Sequence, residues 1–181
     1  MGLQFFNRKQ LGILGDSLDI AEDATSNYYK LSMSQWKKHR FDIKTLSSLF
    51  GEDIKDNVFA LLKRYEKDDK SKIDSLQKRH DFYMICLQDH QILKAINRDK
   101  NLKLLPLLSY ILTHELVHIV RFCNFDIRFD TQEEFNRTRE EKIVHQKTYE
   151  ILKGFSLSNM DYILDSYIQK RFSNDFNISN I

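Results

Sequence analysis

Two histidines four residues apart with a glutamate beside the first, His114-Glu115-Leu116-Val117-His118, are the residues of this chain best spaced to do chemistry. On a helix, side chains at i and i+4 lie one above the other, so both imidazoles can grip one metal ion. Glu115 sits beside that face, where its carboxylate reaches a water on the same metal and can act as general base. The flanking residues are apolar: from 110 to 120 only Thr113 and the three ionisable groups interrupt an aliphatic and aromatic run. Burying two imidazoles and a carboxylate in such a helix is costly unless each finds a partner. Carboxylates from neighbouring core elements would serve as partners. A metal ion is the preferred reading.

The segment 111–120 resembles the active-site helix of the zincin metallopeptidases, built around HExxH. The resemblance covers about ten residues. It implies a Zn2+ ion held by His114 and His118, Glu115 as the catalytic base, and a third protein ligand further along the chain. The metzincin continuation is absent, because Arg121 stands where its Gly would be and Asn124 where its last His would be.

A catalytic zinc site takes three protein ligands and leaves one position open. Downstream, Glu141 and His145 lie four apart on one predicted helix face, and Tyr149 extends that face by a turn. In the zincin branch with a downstream Glu ligand, that Glu is followed four residues later by an Asp, which hydrogen-bonds a zinc-bound His. Glu141-Lys142-Ile143-Val144-His145 resembles it, with His in place of Asp. Glu141 is the preferred third ligand. His145 is the alternative, oriented by Glu141, and both could reach the metal. Glu134, engaged in a capping box, and Glu140, which points about 100° away from Glu141, are weaker candidates. Arg121 reads as a cation favoured by a helix C-terminus, ahead of a role in holding Glu140, Glu141 or a loop acid such as Asp126. Tyr149 reads as packing ahead of a stabiliser of negative charge.

These residues need helices to carry them. With one Pro and five Gly in 181 residues, tight turns are few. The chain is predicted to be mainly α: a single helical domain over 1–181 with the HExxH helix buried. Residues 1–15 are expected as an irregular lead-in and 173–181 as a frayed tail. Apolar spacing predicts helices over 16–33, in one or two pieces over 34–49, and over 52–67. A charged turn is expected over 67–72. The apolar run 82–87 allows a short strand, and the zincin resemblance would have it align extended substrate. The metal helix is expected to start near Pro106 and reach residue 122. A loop over 124–130 should lead to a helix opening on the capping box Thr131-Gln132-Glu133-Glu134 and closing at Gly154. A last helix is predicted over 159–172, capped by Ser158.

Composition narrows the partners. A net charge of +2 is too small to argue for nucleic acid, and the basic clusters at 37–40 and 78–80 each precede an acid within two residues. No uninterrupted apolar stretch is long enough for a membrane span, and the first residues lack a secretory layout. A cytoplasmic location follows as the default, with Cys86 and Cys123 as free buried thiols. The function expected is metal-assisted hydrolysis, foremost of a peptide bond, with a peptide or protein as substrate. Two alternatives stand beside it. One is a ferritin-like dinuclear iron or manganese protein using Glu115 and His118 as an ExxH, with Glu141 and His145 as possible further ligands and Glu22 as the one glutamate on an early helical pattern. The other is a non-catalytic binding module braced by a closed metal site.

Overall fold

A computed structural model describes residues 2–65, 81–124 and 134–168 of the chain. Helices predominate among them: α1 (Arg8–Tyr28), α2 (Met33–Trp36), α3 (Asp89–Arg98), α4 (Leu104–Cys123), α5 (Glu134–Leu152) and α6 (Met160–Ile168). Three strands, β1 (Arg40–Lys44), β2 (Ala60–Tyr65) and β3 (Phe82–Leu87), form one small mixed sheet in the order β1-β3-β2. β1 runs parallel to β3, with Arg40 opposite Phe82, and β2 runs antiparallel to it, with Ala60 opposite Leu87.

Helix α4 is the axis of the fold. Pro106 falls in its first turn, where a missing N–H breaks no helical bond. From Pro106 to Phe122 every residue is buried, as expected of a helix that is apolar all round. Helix α1 lies against it through small residues, with Ser17, Ala21, Ala24 and Thr25 buried. The Ser17 hydroxyl donates to the Ile13 carbonyl and lies 3.3 Å from the Leu105 carbonyl, tying the two helices where they touch. Helices α5 and α6 cover other flanks of α4.

The sheet has two unlike faces, set by the period of two along a strand. Leu62, Tyr83, Ile85 and Leu87 point into the main core with α4, whereas Leu61, Met84 and Cys86 join Leu46 and Leu49 in a smaller cluster behind the sheet. Gln88 and Asp89 fasten the loops that cover this back face. The Gln88 amide donates to the Asp53 carbonyl and accepts from Lys55 N–H. The buried Asp89 carboxylate accepts from the backbone N–H groups of Phe6 and Leu46.

Several expectations need correction. The first helix begins at Arg8, inside the predicted lead-in, because Asn7 and Gln10 form a reciprocal capping box. Where helix was expected over 34–49, the chain forms the end of the four-residue α2, then β1 and a 3-10 turn at Leu46–Ser48, and the predicted helix over 52–67 is a 3-10 turn at Gly51–Asp53 followed by β2. Leu61 and Leu62 fit a helical stripe but belong to a continuously buried run, 58–62, which a strand covered on both faces also produces. Helix α3, absent from the sequence-based assignment, fills part of the unassigned stretch 88–105. The strand at 82–87 is present, yet it is the central one. With neighbours on both sides, β3 has no free edge for aligning an extended substrate. Ser158 donates to the Asn159 side chain just ahead of α6. The charged turn at 67–72, the basic cluster at 78–80, the capping box at 131–134 and the tail at 173–181 lie outside the described residues, wholly or, for the capping box, in their first three positions.

Candidate metal centre

Successive turns of α4 carry Tyr110, His114 and His118 along one face, and α5 faces them with Glu140, Glu141 and His145. The Nε2 atoms of His114 and His118 are 3.2 Å apart. Glu141 reaches both: its Oε2 lies 3.4 Å from His114 Nε2 and its Oε1 3.4 Å from His118 Nε2. A tetrahedral metal with bonds near 2.0–2.1 Å spaces its ligand atoms about 3.3–3.4 Å apart. Each histidine meets a different oxygen of Glu141 at about that separation. His145 approaches the same point, with its Nε2 4.0 Å from Glu141 Oε2. The ligand atoms of His114, Glu141 and His145 all lie within 4.8 Å of one another.

The site is buried but not sealed. His114, His118 and Glu115 are each at most 3% exposed, while the Glu141 side chain keeps 25% of its surface open, so solvent reaches the cluster along this carboxylate.

Electrostatics follow from that burial. Desolvation pushes Glu115 up to about 7, against the pull of His118, and its Oε2 has no hydrogen-bond partner among the described residues. Burial acts against a charged His118, but Glu141 outweighs it and raises the imidazole above its ordinary value. His114 goes the other way, lowered by burial, with the charge of His118 adding to the shift. For Glu141, burial alone would favour the neutral acid. His118 and His114 prevail and hold it well below the usual carboxylate range. Burial, together with the charge of His114, keeps His145 neutral. A cation held by these imidazoles would compete with protons for the same ring nitrogens.

The support around the ligands corrects the reading of Arg121. Its guanidinium forks onto Glu140, with Nε 2.6 Å from Oε1 and the terminal nitrogen 2.8 Å from Oε2. The pair is buried between α4 and α5, and Glu140 Oε1 stands 3.9 Å from His118 Nδ1. Arg121 is thus a clamp across the two helices, beyond any interaction with the dipole of its own. Phe122 stacks on the His118 ring at 5.8 Å between centroids. Tyr149 is partly buried against the core and plays the packing role expected of it. The Tyr110 hydroxyl lies 3.0 Å from His145 Nδ1. Sequence reasoning missed Tyr110, although its position four residues before His114 was the available signal. Glu22 accepts from the Trp36 indole at 2.9 Å.

Comparison of the chain with models of known protein families, with curated proteins and with solved structures gives no match.

Proposed function

We propose that the chain is a zinc-dependent hydrolase whose metal is held by His114, His118 and Glu141, and that it cleaves peptide bonds. The observation that carries this reading is that the two histidine Nε2 atoms stand 3.2 Å apart and each lies 3.4 Å from one of the two oxygens of Glu141, brought to them from the facing helix. When bound, the metal supplies a Lewis acid that makes water a nucleophile near neutral pH and polarises a carbonyl.

The chain's own residues do the rest. Glu115 is next to His114 in the chain, and its buried Oε2 has no hydrogen-bond partner among the described residues, which leaves that oxygen open to take a proton. It removes one proton from the attacking water as the new C–O bond forms. It then delivers that proton to the leaving amine as the C–N bond breaks. The Arg121–Glu140 clamp fixes α5 against α4, and so holds Glu141 at the histidines. Peptide is the substrate class that the zincin resemblance of residues 111–120 suggests. Free thiols at Cys86 and Cys123 fit the cytoplasmic location proposed with it, and among the described residues no helix is long and apolar enough to cross a membrane.

The test is zinc content and turnover of a peptide panel for the wild type and Glu115→Gln. One zinc per chain in both, with turnover abolished only in the variant, is the expected result. Full activity in Glu115→Gln overturns the mechanism. Two irons or manganese ions per chain would favour the dinuclear alternative.

A further inference from the structure

We propose that Glu140 accepts the Nδ1–H of His118, and that this contact holds the ring with its Nε2 lone pair turned to the metal. The inference deepens the metal reading above and rests on it.

The two nitrogens of the His118 ring have unlike surroundings. Nε2 stands 3.2 Å from His114 Nε2 and 3.4 Å from Glu141 Oε1, the side on which the ion would sit. Nδ1 is shielded from solvent and has no hydrogen-bond partner among the described residues. An imidazole that gives its Nε2 lone pair to a metal carries its hydrogen on Nδ1. A buried N–H of that kind needs an acceptor, and water is not there to serve.

The carboxylate facing Nδ1 is Glu140, buried, with Oε1 3.9 Å away. Arg121 puts it there: three residues past His118 on α4, it shares that flank of the helix, and its fork grips both Glu140 oxygens. The fork does not exhaust the acceptor. An ionised carboxylate offers about four lone-pair sites, and the guanidinium uses two of them. Oε1 can therefore take a second hydrogen bond. Closing 3.9 Å to a charge-assisted contact of about 2.8 Å takes a shift of about 1 Å. Once Nε2 is coordinated, the ring carries part of the metal's charge, and its N–H draws a carboxylate more strongly. Consecutive glutamates of α5 then bracket one imidazole, Glu141 at Nε2 and Glu140 at Nδ1. The turn of about 100° between adjacent helix positions sends them to its two sides. Glu140 is a positioning residue that acts on the metal through His118.

The test uses the full chain loaded with zinc. Imidazole proton–nitrogen correlation spectra report which nitrogen of His118 carries the hydrogen and how fast that hydrogen exchanges with water. In the wild type, a hydrogen on Nδ1 that exchanges slowly and resonates downfield is expected. In Glu140→Gln, which keeps the shape of the side chain and one oxygen for Arg121, that resonance should move upfield and exchange faster. Zinc affinity should fall about 10–100-fold in the same variant. A purely structural clamp would disturb His114 and His118 alike, and such a result overturns the proposal. So does a wild type whose zinc-bound His118 carries its hydrogen on Nε2, or whose Nδ1–H exchanges as fast as that of free imidazole, whatever the variant does. A wild type that takes up no zinc refutes the metal site and this inference together.

Discussion

At the scale of single residues, burial sets the chemistry, and neighbours decide in which direction. Glu115 and Glu141 are carboxylates of one cluster, yet the first is pushed up to about 7 and the second is held far down. The difference is contact: Glu141 meets both ring nitrogens, while Glu115 has mostly apolar surroundings to answer to. Metal uptake should accordingly compete with protons at His118. Because Glu141 raises that imidazole, apparent affinity is expected to weaken on acidification from neutral pH, by up to about tenfold per pH unit below its pKa. Zinc-competition titrations at a series of pH values would show it, and a flat profile would contradict it. The thiols offer an independent check. Burial raises both Cys86 and Cys123 to about 11, leaving on the order of 0.1% thiolate at pH 8. Iodoacetamide should label the native chain slowly at that pH and both thiols rapidly in denaturant. The HExxH spacing was legible at this scale because one turn of helix determines it. The Tyr110–His145 contact was not, since its partners lie 35 residues apart.

At the scale of elements, the site is an agreement between α4 and α5, and Arg121 with Glu140 holds it. Removing one partner leaves the other charge buried, so Glu140→Ala is expected to cost about 3–5 kcal/mol in urea unfolding. Replacing both, as in Arg121→Met with Glu140→Leu, should recover most of that stability but not the metal affinity. Zinc affinity is expected to fall about 10–100-fold in the double variant, because the clamp that brings Glu141 to the histidines is gone. Unchanged affinity would show that the pair serves the fold alone. The helices carrying the site were readable from periodicity, and α4 and α5 fall close to where spacing puts them. β2 and α3 were not. Leu61 and Leu62 suit either a helix or a strand until a neighbour is known, and β3 supplied that neighbour by pairing Leu62 with Ile85. Helix α1 was misplaced at its start because the Asn7–Gln10 capping box, a polar signal, was overlooked in favour of apolar spacing.

At the scale of the whole molecule, an ion that binds only the folded chain must stabilise it. Zinc at about 100 times its dissociation constant adds about 2.7 kcal/mol. For a chain of this length that raises Tm by about 5–10 °C, and a chelator should reverse it. Calorimetry with and without zinc measures the shift, and identical melting curves would contradict the metal site. The sequence by itself determined the histidine pair, its adjacent acid, the buried helix that bears them and the face of the second helix where Glu141 and His145 lie. All of these depend on spacing within a few residues, where backbone geometry leaves little choice. Only the tertiary structure decided which acid meets both histidines, that Arg121 clamps Glu140, that 82–87 is a central strand and that Tyr110 reaches His145. Those outcomes depend on how α4, α5 and the sheet pack in space, and packing between distant segments answers to the whole set of buried surfaces rather than to any local pattern.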